Sequence, residues 1–160
     1  MVQVYIALGS NVEPEKNIPL ALQRLRESFP DLRVSPIYRC DPVGFSGGYF
    51  WNLVASFSTA MPLLSLADQL RELEFAMGRE PDAKKNSART LDVDILLYGD
   101  SIGQFGRVTL PREDIVNYAF VLKPLVELAP DLVHPQLKQS ITDLYQHSSL
   151  DFSGLQAVTL

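Results

Sequence analysis

Two aspartates separated by a single residue, Asp92 and Asp94, carry the clearest chemical signal in this sequence. They lie in the run Arg89-Thr-Leu-Asp92-Val-Asp94-Ile-Leu-Leu, whose apolar and β-branched content predicts a strand. Side chains alternate across a strand, so both carboxylates point one way while Leu91, Val93 and Ile95 point into a core. Two carboxylates about 7 Å apart on one strand are placed to share hard cations. Magnesium takes one or two carboxylates together with waters and substrate phosphates, which this spacing offers. The competing reading is the solvated face of a half-buried strand. Aspartate is depleted in strands, and two in one strand interior favours the metal.

Arginines gather around this strand. Arg79 opens and Arg89 nearly closes a polar stretch, REPDAKKNSART, which reads as a mobile surface loop, and Arg107 and Arg112 follow. Guanidinium forks match phosphate oxygens and neutralise charge that develops in phosphoryl transfer. For Arg79 and Arg89 phosphate contact is the expectation; for Arg107 alone it is a surface ion pair. Glu74, four residues after Leu70, sits at the margin of a helical stripe and is expected to pair with Arg71. Phe50 and Asn52 share a strand face, where an aromatic and an amide can stack on and hydrogen-bond a flat heterocycle. His134 and His147 show no metal or triad spacing, and Cys40 reads as a small buried hydrophobe.

The elements that must position these residues are legible from periodicity. Val2 to Leu8 predicts a strand ended by a Gly9-Ser10-Asn11 turn. Ile18, Ala21, Leu22, Leu25 and Phe29 predict a helix starting near Asn17, with Pro19 in its first turn. Leu32 to Arg39 predicts a strand interrupted by Pro36, and Tyr49 to Thr59 another. A second helix is expected from Pro62 to Met77, stopped by Gly78, followed by the aspartate strand to Tyr98. Val108 to Leu110 predicts a short strand, Tyr118 to Leu128 a helix kinked or divided by Pro124, and Ile141 to His147 a short helix. The order βαββαβ predicts an α+β, ferredoxin-like sandwich, an antiparallel sheet with helices packed on it. One domain over 1–160 is expected, with a loosely ordered tail over 148–160.

Composition narrows the function classes. Net charge of −5 argues against broad nucleic-acid binding, and no apolar run is long enough to span a bilayer. One cysteine excludes an internal disulfide framework, so a cytoplasmic, reducing setting is expected.

Taken in order, the segments Tyr5-Ile-Ala-Leu-Gly-Ser-Asn11, Tyr38-Arg39, Asn52 after an aromatic pair, EFAMGR ending at Arg79, RTLDVDILL from Arg89 and FVLKPLVELAP from Phe120 resemble the hydroxymethyldihydropterin pyrophosphokinase family. The resemblance covers roughly residues 2–135. It implies transfer of pyrophosphate from ATP to a pterin alcohol in folate synthesis, with release of AMP. By resemblance, Asp92 and Asp94 hold two Mg2+ ions, and Arg79 and Arg89 clamp the transferring phosphates in a lid. Phe50 and Phe120 sandwich the pterin, while Asn52 and the loop through Cys40, Pro42 and Val43 read its edge. Arg71, Glu74, Ile95, Arg107, Thr109 and Arg112 line the nucleotide site. A monomer is expected.

Departures from the family pattern fall in the lid and nucleotide site. The lid lacks a tryptophan over Lys84-Lys85-Asn86-Ser87, Pro81 replaces a second arginine, Arg112-Glu113 stands where a histidine and often an aromatic or proline are usual, and Tyr118 replaces an arginine. Arg112 is therefore expected to supply a phosphate contact otherwise missing. The alternative is a divergent paralogue that binds pterin or nucleotide with little or no catalysis. A nucleotidyltransferase is disfavoured because Ser10 and Asp92 are far apart in the chain, and an RNA-binding module because the chain is acidic.

Overall fold

The computed structural model describes residues 1–40, 49–78 and 90–160. Strand β1 (Val2–Ser10) is followed by helix α1 (Pro14–Ser28), short strands β2 (Arg33–Val34) and β3 (Ile37–Cys40), and the long β4 (Phe50–Thr59). Helix α2 (Leu63–Ala76) leads to β5 (Asp92–Tyr98), and then a hairpin of β6 (Gly103–Phe105) and β7 (Val108–Leu110). Helices α3 (Asp114–Asn117), α4 (Ala119–Leu128) and α5 (Ile141–Gln146) precede a last strand, β8 (Gln156–Val158).

The main sheet runs β5-β1-β4-β3-β8, with β2 also on β4, and every pairing is antiparallel. This is the ferredoxin-like arrangement the element order predicts. Its two central strands, β1 and β4, are buried along nearly their whole length. Val4, Ile6 and Leu8 of β1 and Leu53, Ala55 and Phe57 of β4 face α1 and α2, meeting Ile18, Leu22, Leu25, Leu66 and Leu70. The opposite face is covered by α3, α4 and α5 through Ile115, Val121, Leu122, Leu125 and Ile141, packed on Tyr5, Val54, Leu96 and Leu97. A bulge in β5 sets Tyr5 against Leu97 and Ile6 against Ile95, leaving Leu96 as the extra residue. Leu96 and Leu97 therefore bury on one face, while Asp92 and Asp94 keep strict alternation with Val93 and Ile95.

Several boundaries differ from expectation for local physical reasons. Strand β1 continues through Gly9 and Ser10, which pair with Asn52 and Trp51 rather than turning. Helix α1 begins at Pro14, not near Asn17, because the Glu13 carbonyl accepts the N–H groups of Lys16 at 3.0 Å and Asn17 at 2.9 Å. Pro14 is thus the first-turn proline and Pro19 lies inside the helix, whose buried stripe outweighs one missing backbone bond. Pro36 divides its segment into β2 and β3, and Ser35 spans the gap. Its N–H donates to the Val54 carbonyl, and its hydroxyl accepts from Val54 N–H, each at 2.9 Å. Pro124 neither divides nor ends α4. Val108–Leu110 joins the β6–β7 hairpin, off the main sheet, and α3 was not foreseen. The expected loose tail instead carries β8, paired with β3 from Ile37 to Arg39.

His134 has a structural role. It is 4% exposed, and its Nδ1 accepts the N–H groups of Gln136 at 3.2 Å and Leu137 at 3.1 Å. Burial lowers its pKa below 6.5. As pH falls, the unfolded chain takes up this proton first, near pH 6.5. The stabilisation is thus present above that value and lost as pH falls through the folded pKa. Thermal melts between pH 7 and pH 5 should show a falling Tm, and His134→Asn should flatten the fall.

Candidate active site

Phe50, Asn52, Asp92 and Asp94 lie toward one end of the sheet face that α3, α4 and α5 cover, whereas Ile95, Arg71 and Glu74 lie on the α2 side. Gly9 of β1 is paired with Asp92 of β5 on one side and Asn52 of β4 on the other, and Asn52 is paired with Tyr38 of β3. Asp92, Gly9, Asn52 and Tyr38 therefore form a row across four strands. The next position outward sets Phe50 against Cys40, and the next inward sets Asp94 beside Ala7. Alternation predicts that Asp92 and Asp94 share a face, and the burial pattern of β5 agrees: both are half-buried, with Val93 and Ile95 inside.

At the Asn52 end, its Nδ2 donates to the Cys40 Sγ at 2.9 Å. Cys40 is half-buried beside this amide rather than a core hydrophobe. The Tyr38 hydroxyl donates to Glu127 of α4, and burial followed by that hydrogen bond raises its pKa well above 10, so it remains a donor at physiological pH. Arg33 Nη2 donates to the Leu128 carbonyl at 3.2 Å. These two contacts moor the C-terminal end of α4 to the sheet. Phe120, at the start of the same helix, packs at the margin of the second core with Tyr118 stacked on it, ring centroids 5.0 Å apart. Tyr118 stands where the family pattern has an arginine, and it extends the aromatic surface there.

At the carboxylate end, Glu74 of α2 is 2% exposed and reaches β5. Its Oε2 accepts the Val93 N–H at 2.8 Å, and its Oε1 lies 3.3 Å from Arg71 Nε. The expected Arg71 pairing is present; the tie to the residue between the two aspartates was not foreseen. Arg112 Nη2 is 3.6 Å from Asp94 Oδ1, and its Nε is 3.1 Å from Asp114 Oδ2. Burial opposes its charge, but Asp94 and Asp114 outweigh that and raise its pKa, so it stays cationic. Asp114 was missed by sequence reasoning, although its spacing from Arg112 is a usable signal. Arg107 makes the expected surface pair, 2.9 Å from Asp68.

Arg71, Glu74, Ile95, Arg107 and Arg112 line one pocket of about 100 Å3 beside β5, together with Asp94 and Val93. Thr109 is the exception. It is exposed on β7, its hydroxyl donating to Gln104 Oε1 at 2.6 Å, while Val108 faces the pocket. Arg79, Arg89, Pro42 and Val43 lie outside the described residues, as do the lid departures at 81 and 84–87. Among the described residues no cluster of three metal-ligating side chains occurs. Two half-buried carboxylates on one face, of which Asp94 lines the guanidinium-bearing pocket, nevertheless fit a magnesium ion that takes its remaining ligands from phosphates and water.

The antiparallel ferredoxin-like sheet thus sets an amide–aromatic surface and a carboxylate–guanidinium pocket at one end, a combination of groups suited to binding a flat heterocycle and phosphates. The family described as 7,8-dihydro-6-hydroxymethylpterin-pyrophosphokinase matches residues 5–130, and the chain belongs to that family. It is 43% identical over 141 residues to the 2-amino-4-hydroxy-6-hydroxymethyldihydropteridine pyrophosphokinase of Pseudomonas aeruginosa, covering 84% of this chain and 86% of the relative. The enzyme of the same description from Haemophilus influenzae is 38% identical over 148 residues, covering 90% of this chain and 91% of the relative. Among solved structures, the wild-type HPPK-DHPS protein of Plasmodium falciparum with pteroate superposes with a TM-score of 0.75 at 12% identity. That match covers 99% of this chain and 46% of the longer one, and it speaks for the fold alone. No helix among the described residues is long and apolar enough to cross a membrane.

Proposed function

We propose that this chain transfers the terminal pyrophosphoryl group of ATP to the hydroxymethyl oxygen of 6-hydroxymethyl-7,8-dihydropterin, releasing AMP. The observation that carries this reading is the row Asp92–Gly9–Asn52, which sets a carboxylate and an amide one strand either side of a bare glycine. A pterin held at Asn52 would present its alcohol toward the carboxylates, and a nucleotide in the Arg71–Arg112 pocket would present its phosphates to them from the other side. In the transfer, the alcohol oxygen bonds to the β-phosphorus, the bond from that phosphorus to the α,β-bridging oxygen breaks, and the hydroxyl proton leaves to solvent.

In this proposal Phe50 and Phe120 stack on the pterin, and Asn52, with Cys40, Pro42 and Val43, reads its edge. Asp92 and Asp94 would hold two magnesium ions. Bound there, magnesium supplies charge neutralisation on the phosphates and lowers the pKa of the alcohol. Arg79 and Arg89 clamp the transferring group, and Arg71, Glu74, Ile95, Arg107 and Thr109 belong to the nucleotide side. Arg112 leaves Asp94 to meet phosphate when nucleotide binds. Arg112→Ala should accordingly raise the KM for ATP about tenfold with little change in pterin affinity, as read by initial rates and pterin titration. The working unit proposed is a single-domain monomer over residues 1–160, in the cytoplasm.

The deciding experiment measures AMP formed from ATP and magnesium with and without 6-hydroxymethyl-7,8-dihydropterin. Pterin-dependent AMP is the expected result. Folded protein that binds the pterin yet forms no AMP would overturn the catalytic reading in favour of a binding paralogue.

A further inference from the structure

Gly9 occupies the middle of the row that joins the amide to the carboxylates, and the reaction proposed above gives it no part. Its place in a strand needs a reason, because glycine in a strand interior is destabilising relative to alanine. Backbone conformation is not that reason. Gly78, Gly99, Gly103 and Gly106 have positive φ, whereas Gly9 does not and lies in regular antiparallel pairing on both sides. Space is the reason. A Cβ built on Gly9 would lie 2.8 Å from Asn52 Oδ1 and 3.9 Å from its Cγ, the first closer than such atoms approach.

The Asn52 amide is held at one end and bounded by Gly9 at the other. Its Nδ2 donates to Cys40 Sγ on β3 at 2.9 Å, and its Oδ1 leans over Gly9 on β1. Asn52 is itself 9% exposed, with Trp51 and Leu53 buried in the core to either side of it in the strand. The tip of the amide is thus the part free to give way, and it would move away from β1.

We infer that Gly9 is a positioning residue for the pterin site: by carrying no side chain it lets the Asn52 amide lie across the sheet in the orientation that reads a flat heterocycle. This inference rests on the assignment of the pterin to Asn52. Gly9 acts through Asn52, so its effect must vanish when the amide is gone. That requirement separates it from a glycine that merely stabilises the strand or touches the substrate directly.

The test is a double-mutant cycle of Gly9→Ala, Asn52→Ala and the pair in the full-length chain. Affinity for 6-hydroxymethyl-7,8-dihydropterin is read by calorimetry with magnesium and a non-hydrolysable ATP analogue. Thermal melts and steady-state rates are recorded in parallel. Gly9→Ala is expected to weaken pterin binding about tenfold and raise its KM alike, with kcat and nucleotide affinity within about threefold. In the Asn52→Ala background the same substitution should cost nothing further. Unchanged pterin affinity in Gly9→Ala, or an equal loss in both backgrounds, would overturn the inference. If Gly9→Ala fails to fold alone, recovery of folding in the pair supports the steric coupling, and failure of both overturns it. Asn52→Ala with undiminished pterin affinity is a separate result, which removes the pterin site and this role for Gly9 together.

Discussion

Replacing either Asp92 or Asp94 by alanine is expected to lower turnover about a thousandfold while leaving pterin affinity within about threefold. The two carboxylates share one face of β5, two strands away from Asn52 across β1, and Asp94 lines the guanidinium pocket. On the proposed reading they act where phosphate charge is handled, and the amide proposed to read the pterin is held by other residues. Loss of one carboxylate removes transition-state stabilisation without touching the stacking surface. For Asp94→Ala there is a second effect: Arg112 loses its Asp94 partner and keeps Asp114. The checks are single-turnover AMP formation and pterin calorimetry on each variant. Near-normal turnover in both would show that the metal assignment is wrong.

The second large effect is expected at Glu74, and it is chiefly one of stability. Its carboxylate is buried, accepts the Val93 N–H and pairs with Arg71, which is partly exposed. Glu74→Ala leaves a buried backbone donor without its acceptor and opens space between α2 and β5. The cost should be about 2–4 kcal/mol, most of it from the orphaned N–H and the cavity rather than from the screened ion pair. For a chain of this length that corresponds to a fall in Tm of roughly 4–16 °C. Glu74→Gln retains an oxygen for Val93 and should lose about 1 kcal/mol or less. Because Val93 lies between the two aspartates, the alanine variant should also lose more in kcat than in pterin affinity at a temperature where it remains folded. Calorimetric melts and rates on both variants check the order; equal melting temperatures would mean that the Val93 contact contributes nothing.

Much of the frame is local in origin. The period-2 alternation of Asp92 to Ile95 is sufficient to place both carboxylates together, since a strand has only two faces. The stripes of α1 and α2, and the order of strands and helices, likewise lead to the ferredoxin-like sheet from sequence. The resemblance of the ordered motifs added the family, which the comparison with known proteins supports.

Other features are invisible locally because they depend on a partner distant in the chain. Nothing in Gln156–Val158 marks a strand; β3 makes it one by offering an open edge. The early start of helix α1 is a local exception: the carbonyl of Glu13, set at positive φ, starts the first turn, which the apolar stripe does not mark. Glu74 and Arg71 are neighbours on one helix, so their pairing is legible, whereas the bond from Glu74 to Val93 requires α2 to be docked on β5. Likewise the sequence places Phe50 and Asn52 on a common face, but the register of β4 on β1 and β3 brings that amide over Gly9 and beside Cys40. The sequence by itself determined most of the elements, the paired carboxylates and the family, because periodicity and motif order are properties of neighbouring residues. Only the tertiary structure decided the row across four strands and the pocket beside β5, because strand register and helix docking are settled by burying two faces of one sheet at once.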